Sequence, residues 1–316
     1  MECGAWLGWQ IDYLLWLQNF RDVSGHVFDN FFTVITLFGE VTVPLIVIAC
    51  FYWAINKRVG TYILWSYVFG FVANHLAKVT ACIYRPWILD PRVHPLAQAM
   101  PAATGYSFPS GHTAGAVTIW GSLAVSFWKN KIVRYVCLAI ILLVMISRNY
   151  LGVHTPQDVI VSFLLSSLVL FGVWKLLKYE ENGTQKTDVI IVASAFALSA
   201  FTCLYAALKP YPIHYLFGKI LYDPMNMKID VLTKEACLFG VFTGWLLEKW
   251  FVGFNPETGS VIKRVLRVAL GVALLFGIKS AGSIVPFGFY GECVQMFILG
   301  TFITFIYPLM IKHFNL

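Results

Sequence analysis

The chain has 316 residues, 59% of them hydrophobic and 16% aromatic, with only 12% charged. A soluble domain carries about 45–50% apolar and about 25% charged residues, so this composition excludes a soluble globular chain, and its apolar, aromatic character excludes a disordered one. The net charge of +7 comes from 23 Lys and Arg scattered between apolar runs, without the basic stripe that nucleic-acid binding requires, and seven cysteines with no CxxC pair suit neither a disulfide scaffold nor a zinc site.

In chain order, Trp6, Trp9, Asp12 and Trp16 make segment 1–29 an expected amphipathic helix lying in a membrane interface. It does not read as a secretory signal, since no basic residue precedes its apolar stretch and no small-residue cleavage site follows. A helix needs about 20 mostly apolar residues to cross a hydrocarbon core of roughly 30 Å. Such runs occur at 30–55, 60–81, 111–128, 132–149, 156–178, 188–208, 231–251, 263–281 and 291–312. They are continuous rather than alternating, which speaks against a β-barrel. The predicted fold class is all-α, a polytopic transmembrane helix bundle of about nine spans. The polar stretch Glu180–Lys186 divides a front part, 30–180, from a rear part, 181–316. The connections after spans one, three, five and seven, with the C-terminus, carry 13 of the 23 Lys and Arg, which makes that side cytoplasmic.

Charged groups near hydrocarbon depth cost about 2.5–3.5 kcal/mol on insertion scales, so their presence points to function. Three polar clusters stand at span ends on the expected outer face: Lys78 to Arg85-Pro86; Gly105 to Thr113, containing Pro109-Ser110-Gly111-His112; and Ser147-Arg148 through His154 to Asp158. Each alone has a structural explanation. Lys78 and Arg85 suit snorkelling cations, Ser110-Gly111 a helix cap, and Thr155-Pro156-Gln157-Asp158 a helix start with its acid at the third position. Capping does not require three cations to accompany two histidines, however. Three cations and a helix N-terminus suit a tetrahedral oxyanion, and two histidines beside it suit a nucleophile and a proton donor.

The three clusters resemble the signature motifs of the type 2 phosphatidic acid phosphatase superfamily, the lipid phosphate phosphatases: Lys, six residues, Arg-Pro; then Pro-Ser-Gly-His; then Ser-Arg, five residues, His, three residues, Asp. All three are met here without departure, over roughly residues 30–178. The resemblance implies that His154 attacks phosphorus to form a phosphohistidine and that Asp158 fixes its tautomer. It implies that His112 protonates the leaving oxygen, and that Lys78, Arg85, Ser110, Gly111 and Arg148 hold the phosphate oxygens. Neither a metal nor a cofactor is expected, because three cations already neutralise the phosphate and no ring of carboxylates suits Mg²⁺.

A site at helix ends suits a substrate whose tail stays in the bilayer: a phospholipid, sphingoid phosphate or polyprenyl diphosphate. The compact chain points to a bacterial cytoplasmic membrane with the site facing outside. A lipid-linked phosphotransferase and a transporter of an anionic amphiphile remain alternatives, and a vanadium haloperoxidase fits poorly with nine spans. Elsewhere, Tyr211, Tyr215, Phe217 and Tyr222 with Lys209, Lys219 and Lys228 read as an interfacial belt in preference to a lid. His75 reads as helix packing, and Gly111 with Gly115 as a close helix contact.

Overall fold

The structure, a computed structural model, describes residues 5–216, 219–284 and 288–316. In chain order its helices are α1 (Ala5–Val23), α2 (Asp29–Thr36), α3 (Thr42–Cys50), α4 (Lys57–Ala81), α5 (Pro86–Leu89), α6 (Gly111–Ser126), α7 (Lys131–Tyr150), α8 (Pro156–Glu181), α9 (Gln185–Leu208), α10 (Pro224–Leu247), α11 (Val261–Ile284), α12 (Gly288–Thr301) and α13 (Tyr307–Phe314). π-helical turns at Phe51–Ile55, Glu248–Val252 and Phe302–Ile306 extend α3 and α10 and join α12 to α13. Among the described residues the sheet content is one hairpin, β1 (Tyr215–Leu216) paired antiparallel with β2 (Lys219–Ile220).

All nine apolar runs fold mainly as helix. Four helical stretches, Lys131–Tyr150, Pro156–Glu181, Gln185–Leu208 and Gly288–Phe314, are long and apolar enough to cross a membrane. The pair Asp29–Gly39 and Thr42–Ile55, bent by 49°, makes a fifth if it is one span. Length and apolarity thus account for four or five of the nine expected spans. The others differ for visible reasons. Helix α6 has only 16 residues; α4 places Thr61, Ser66, Asn74 and His75 among its apolar residues between charged ends. Helix α10 carries Lys228, Asp230, Lys234 and Glu235, and α11 gathers Lys263, Arg264 and Arg267 near its start.

The chain forms two compact units. The first comprises Met1–Pro44, Phe69–Phe171 and Pro210–Met227. In it Ile11 and Leu14 of α1 pack on Val93, Gln10 exchanges hydrogen bonds with Gln157 (both 3.1 Å), and Arg21 Nη2 donates to the His94 carbonyl (2.9 Å). Trp9, Trp16 and Phe20 of the same helix stay exposed. The Trp6 side chain lies outside the described residues. Gly115 of α6 meets the Gly39 carbonyl and Gly39 meets the His112 carbonyl, so two backbones touch where no side chain intervenes. That is the close contact expected of Gly115; a Cβ on Gly111 meets nothing within 4 Å.

The second unit comprises Leu45–Val68, Gly172–Lys209 and Lys228–Leu316. Its core sets Trp53 edge to face against Tyr307 (4.5 Å between ring centres) and Trp65 against Trp245 (4.9 Å), and Arg267 is buried among the Trp53, Pro256 and Thr258 carbonyls. Lys57 pairs with buried Glu248 at 2.5 Å.

Overpacking a close contact costs about 1–3 kcal/mol. Gly115→Ile should therefore lower the thermal midpoint in detergent, as read by intrinsic fluorescence or calorimetry. An unchanged midpoint would contradict the Gly39–Gly115 contact.

Candidate active site

Local structure delivers each polar side chain to its place. Lys78 lies in the last turn of α4, and Pro86 opens α5 with Arg85 extended before it, which suits a residue preceding proline. Ser110 is the N-cap of α6, its Oγ accepting from the Thr113 N–H at 3.3 Å. Arg148 lies in the last turn of α7. The chain then turns through Gly152 at φ +73°, where any side chain is strained and a Cβ would come within 3.1 Å of Pro95. Tyr150, Leu151 and Val153 anchor this turn in a buried cluster with Ala99 and Ala103. Thr155 and Asp158 close a reciprocal cap at the start of α8: Thr155 N–H donates to Asp158 Oδ2 (2.8 Å) and Asp158 N–H to Thr155 Oγ1 (3.4 Å).

The cap carboxylate also faces a histidine. Asp158 Oδ2 lies 3.2 Å from His154 Nδ1 and accepts from Ser107 Oγ at 2.6 Å. On the other side of the ring, Arg85 Nη1 lies 3.0 Å from His154 Nε2. A guanidinium has only donors, so Nε2 is the acceptor and the proton sits on Nδ1, directed at the carboxylate. His154 and Asp158 are both almost wholly buried.

The three cations divide into two kinds. Arg85 donates from Nε to Gly105 (3.1 Å), from Nη1 to Val153 (2.9 Å) and from Nη2 to Thr104 (2.7 Å), all backbone carbonyls. Lys78 Nζ donates to the carbonyls of Tyr106 (2.8 Å) and Pro109 (2.9 Å). Together they clamp the 104–109 segment. Arg148 is different. Its Nη1 donates to Thr36 Oγ1 (2.8 Å), while its Nε and Nη2 are buried without a partner, as is His112 Nε2. A buried unpartnered donor costs about 1–3 kcal/mol and more when charged, so the two Arg148 atoms mark a place for an acceptor, beside an unpartnered His112 ring nitrogen.

Lys78, Arg85 and Arg148 act electrostatically on both His112 and His154, and His154 acts on His112. Burial, reinforced by Arg85, Arg148 and Lys78, holds the His154 imidazole well below the ordinary histidine range. Burial likewise pulls Arg85 down to about 10, against the opposing pull of Asp158 and Tyr222. His154 is therefore a neutral base whose Nε2 lone pair accepts from Arg85. The expected residues Lys78, Arg85, Ser110, Gly111, His112, Arg148, His154 and Asp158 thus lie in one unit. Gly111 faces open space, as a backbone that lets a ligand approach should.

Several partners were not apparent from the motifs. Ser107 bonds the carboxylate, and Thr36 carries Arg148. Asn149 Nδ2 holds the His154 carbonyl (2.9 Å), Ser162 Oγ the Ser110 carbonyl (2.7 Å), and Asn74 Nδ2 the Pro109 carbonyl (3.4 Å). Asn74 and Ser162 stand four residues from Lys78 and Asp158 on the same helices, so helical spacing from a motif residue was a usable signal. His75 is buried with its ring 6.0 Å from Phe71. Of the expected aromatic belt, Tyr222 packs on Tyr106 (4.8 Å), while Phe217 lies outside the described residues. Among the described residues no group of three or more His, Cys, Asp or Glu is placed to hold a metal.

Residues 59–182 match the PAP2 superfamily, and residues 233–316 match the PAP2 superfamily phosphatase, transmembrane extension. An undecaprenyl-diphosphatase of Sulfolobus acidocaldarius is 33% identical over 120 residues, 37% of this chain and 54% of that protein. A phosphatidylglycerophosphatase B of Haemophilus influenzae is 42% identical over 83 residues, 24% of this chain and 34% of that protein. An undecaprenyl-diphosphatase of Bacillus subtilis is 29% identical over 148 residues, 46% of this chain and 72% of that protein. The match thus spans about a third to a half of the length of the first two relatives. No solved structure matches the chain.

The tautomer and charge of His154 can be read directly. In protein labelled with ¹⁵N-histidine, NMR should show His154 as the neutral Nδ1–H form at pH 6.5, taking a second proton only at clearly lower pH. A midpoint at or above 6.5, the ordinary value, would contradict the geometry.

Proposed function

The chain carries a PAP2 superfamily domain and its transmembrane extension, and from that premise we propose that it is a membrane phosphatase acting on a lipid phosphate monoester or diphosphate. One observation carries the proposal: two buried donors without partners, Arg148 Nε and Nη2, and the equally unpartnered His112 Nε2 accompany a neutral imidazole whose Nε2 lone pair faces a guanidinium. Such a set lacks an anion that brings its own acceptors.

In this reading the phosphoryl oxygens take Arg148 Nε and Nη2, the first N–H groups of α6 at Gly111, and the charge of Lys78 and Arg85. Arg85 Nη1 keeps its proton but turns its hydrogen bond from His154 Nε2 to a phosphoryl oxygen, which uncovers the lone pair. His154 Nε2 then forms a bond to phosphorus as the bond to the leaving oxygen breaks, and His112 gives that oxygen its proton. Asp158 keeps the Nδ1 proton in place and offsets the positive charge of the phosphorylated ring. Water next attacks phosphorus and passes a proton to His112, the N–P bond breaks, and inorganic phosphate leaves. Ser110 supports the α6 start through its cap.

The remaining expectations join this proposal. All nine helical runs cross the membrane, α1 lies in the interface with Trp9, Trp16 and Phe20 toward lipid, and the site opens at the outer face. A tail-anchored substrate then presents its phosphate at the depth of the helix tips. The front part, 30–180, performs the reaction, and the rear part, 181–316, accompanies it.

The test is phosphate release from a panel of lipid monophosphates and diphosphates in EDTA. Wild type should turn over, and vanadate should inhibit. His154→Ala, His112→Ala and Arg148→Ala, each folded in detergent, should lose at least ~10²-fold in rate. A wild-type rate in any one variant removes that residue from the mechanism. Unimpaired turnover in the His154 variant overturns the proposal.

A further inference from the structure

The two matched regions, 59–182 and 233–316, leave the stretch between them outside the family resemblance. Part of that stretch, Pro210–Met227, nevertheless folds into the same compact unit as the site. Its contacts fall on Tyr84, next to Arg85, and on Gly105 and Tyr106 of the segment that Lys78 and Arg85 clamp. Tyr84 Oη lies 2.9 Å from His214 Nδ1 with the rings edge to face at 5.6 Å. Tyr106 stands between Tyr84 (5.8 Å) and Tyr222 (4.8 Å).

Gly105 shows how close this approach is. Its φ is +72°, and a Cβ placed on it would lie 3.2 Å from Met227 Sδ and 3.6 Å from Tyr222 Oη. The carbonyl of Gly105 accepts from Arg85 Nε (3.1 Å), and that of Tyr106 accepts from Lys78 Nζ (2.8 Å). The Tyr222 hydroxyl therefore rests near the backbone step that both cations grip. Arg85 meets His154 through Nη1 and Gly105 through Nε. Tyr222 is thus two contacts from the nucleophile, through Gly105 and Arg85, close to the site yet not on His154 itself.

Resting on the phosphatase reading, we propose that Tyr222, backed by the Tyr84–His214 pair, is a specificity-determining residue that donates a hydrogen bond to an oxygen of the leaving group. The chemistry it fits is a neutral phenol donor beside apolar rings: an oxygen-bearing linker between the scissile phosphate and a lipid tail. Two sources supply such an oxygen, the second phosphate of a polyprenyl diphosphate and the glycerol hydroxyl of a phosphatidylglycerophosphate. A leaving group without a further oxygen gains nothing from it.

The experiment compares kcat/KM of wild type, Tyr222→Phe and His214→Gln on farnesyl diphosphate, a phosphatidylglycerophosphate and phenyl phosphate, with a melting curve for each protein. In Tyr222→Phe the preference for an oxygen-bearing substrate over phenyl phosphate should fall about tenfold, the loss of one hydrogen bond. His214→Gln should move the same ratio in the same direction by less. A fall with farnesyl diphosphate alone identifies the second phosphate as the contact; a fall with the glycerophosphate alone identifies the hydroxyl. Ratios unchanged within about twofold, or equal losses on all three substrates, overturn the assignment of Tyr222 while leaving the phosphatase intact. A wild type inert on all three overturns the phosphatase reading and this inference with it.

Discussion

One oxygen atom organises the catalytic end of the molecule. Asp158 Oδ2 accepts from Ser107 Oγ, from the Thr155 N–H and from His154 Nδ1. The second of these bonds is a helix cap, which α8 needs for its own start; the third sets the tautomer of a buried imidazole. A single carboxylate therefore ties the orientation of His154 to the direction in which a membrane-length helix begins. Nδ1 carries the proton because Asp158 takes it, and Nε2 is left as the acceptor that meets Arg85. The cap explanation of Thr155-Pro156-Gln157-Asp158 and the catalytic one describe the same atoms.

The cations around this pair are not equivalent. Lys78 and Arg85 direct most of their donors at carbonyls of residues 104–109 and 153, and so shape the loop that carries Ser107 and leads into α6. Arg148, braced by Thr36, keeps two donors unpartnered in a buried place. Burying a cation without its acceptors is expensive, and an incoming oxyanion relieves that expense by supplying oxygens in a fork-shaped match. Loop architecture draws on Lys78 and Arg85 while the unpartnered donors belong to Arg148, so a change at Lys78 or Arg85 must disturb the 104–109 segment.

The sequence made the helices legible because long apolar runs have few alternatives: each run is mainly helical, the first as a bent pair, and four or five are long and apolar enough to cross a membrane. It made the site residues legible because three spaced motifs fell at helix ends, where polar groups are costly unless used. It did not reveal which cation offers free donors. That depends on where the 104–109 carbonyls point, a property of the folded loop and not of spacing. Ser107 and Thr36 were hidden for the same reason: a serine or threonine among apolar residues has no periodic signature until its partner is known. Tyr222 lay in a stretch whose aromatic content suited a membrane belt equally well, and only its contact with Gly105 and Tyr106 set it apart.

The central claim is that helix tips distant in sequence converge on one tetrahedral anion. A structure of the protein with tungstate, located by its anomalous scattering, tests it most directly. The account predicts tungsten within reach of His154 Nε2, its oxygens on Arg148 Nε and Nη2 and on the first N–H groups of α6, with His112 Nε2 facing a further oxygen. Tungstate bound away from His154, or Arg148 still unpartnered beside an occupied site, would contradict it.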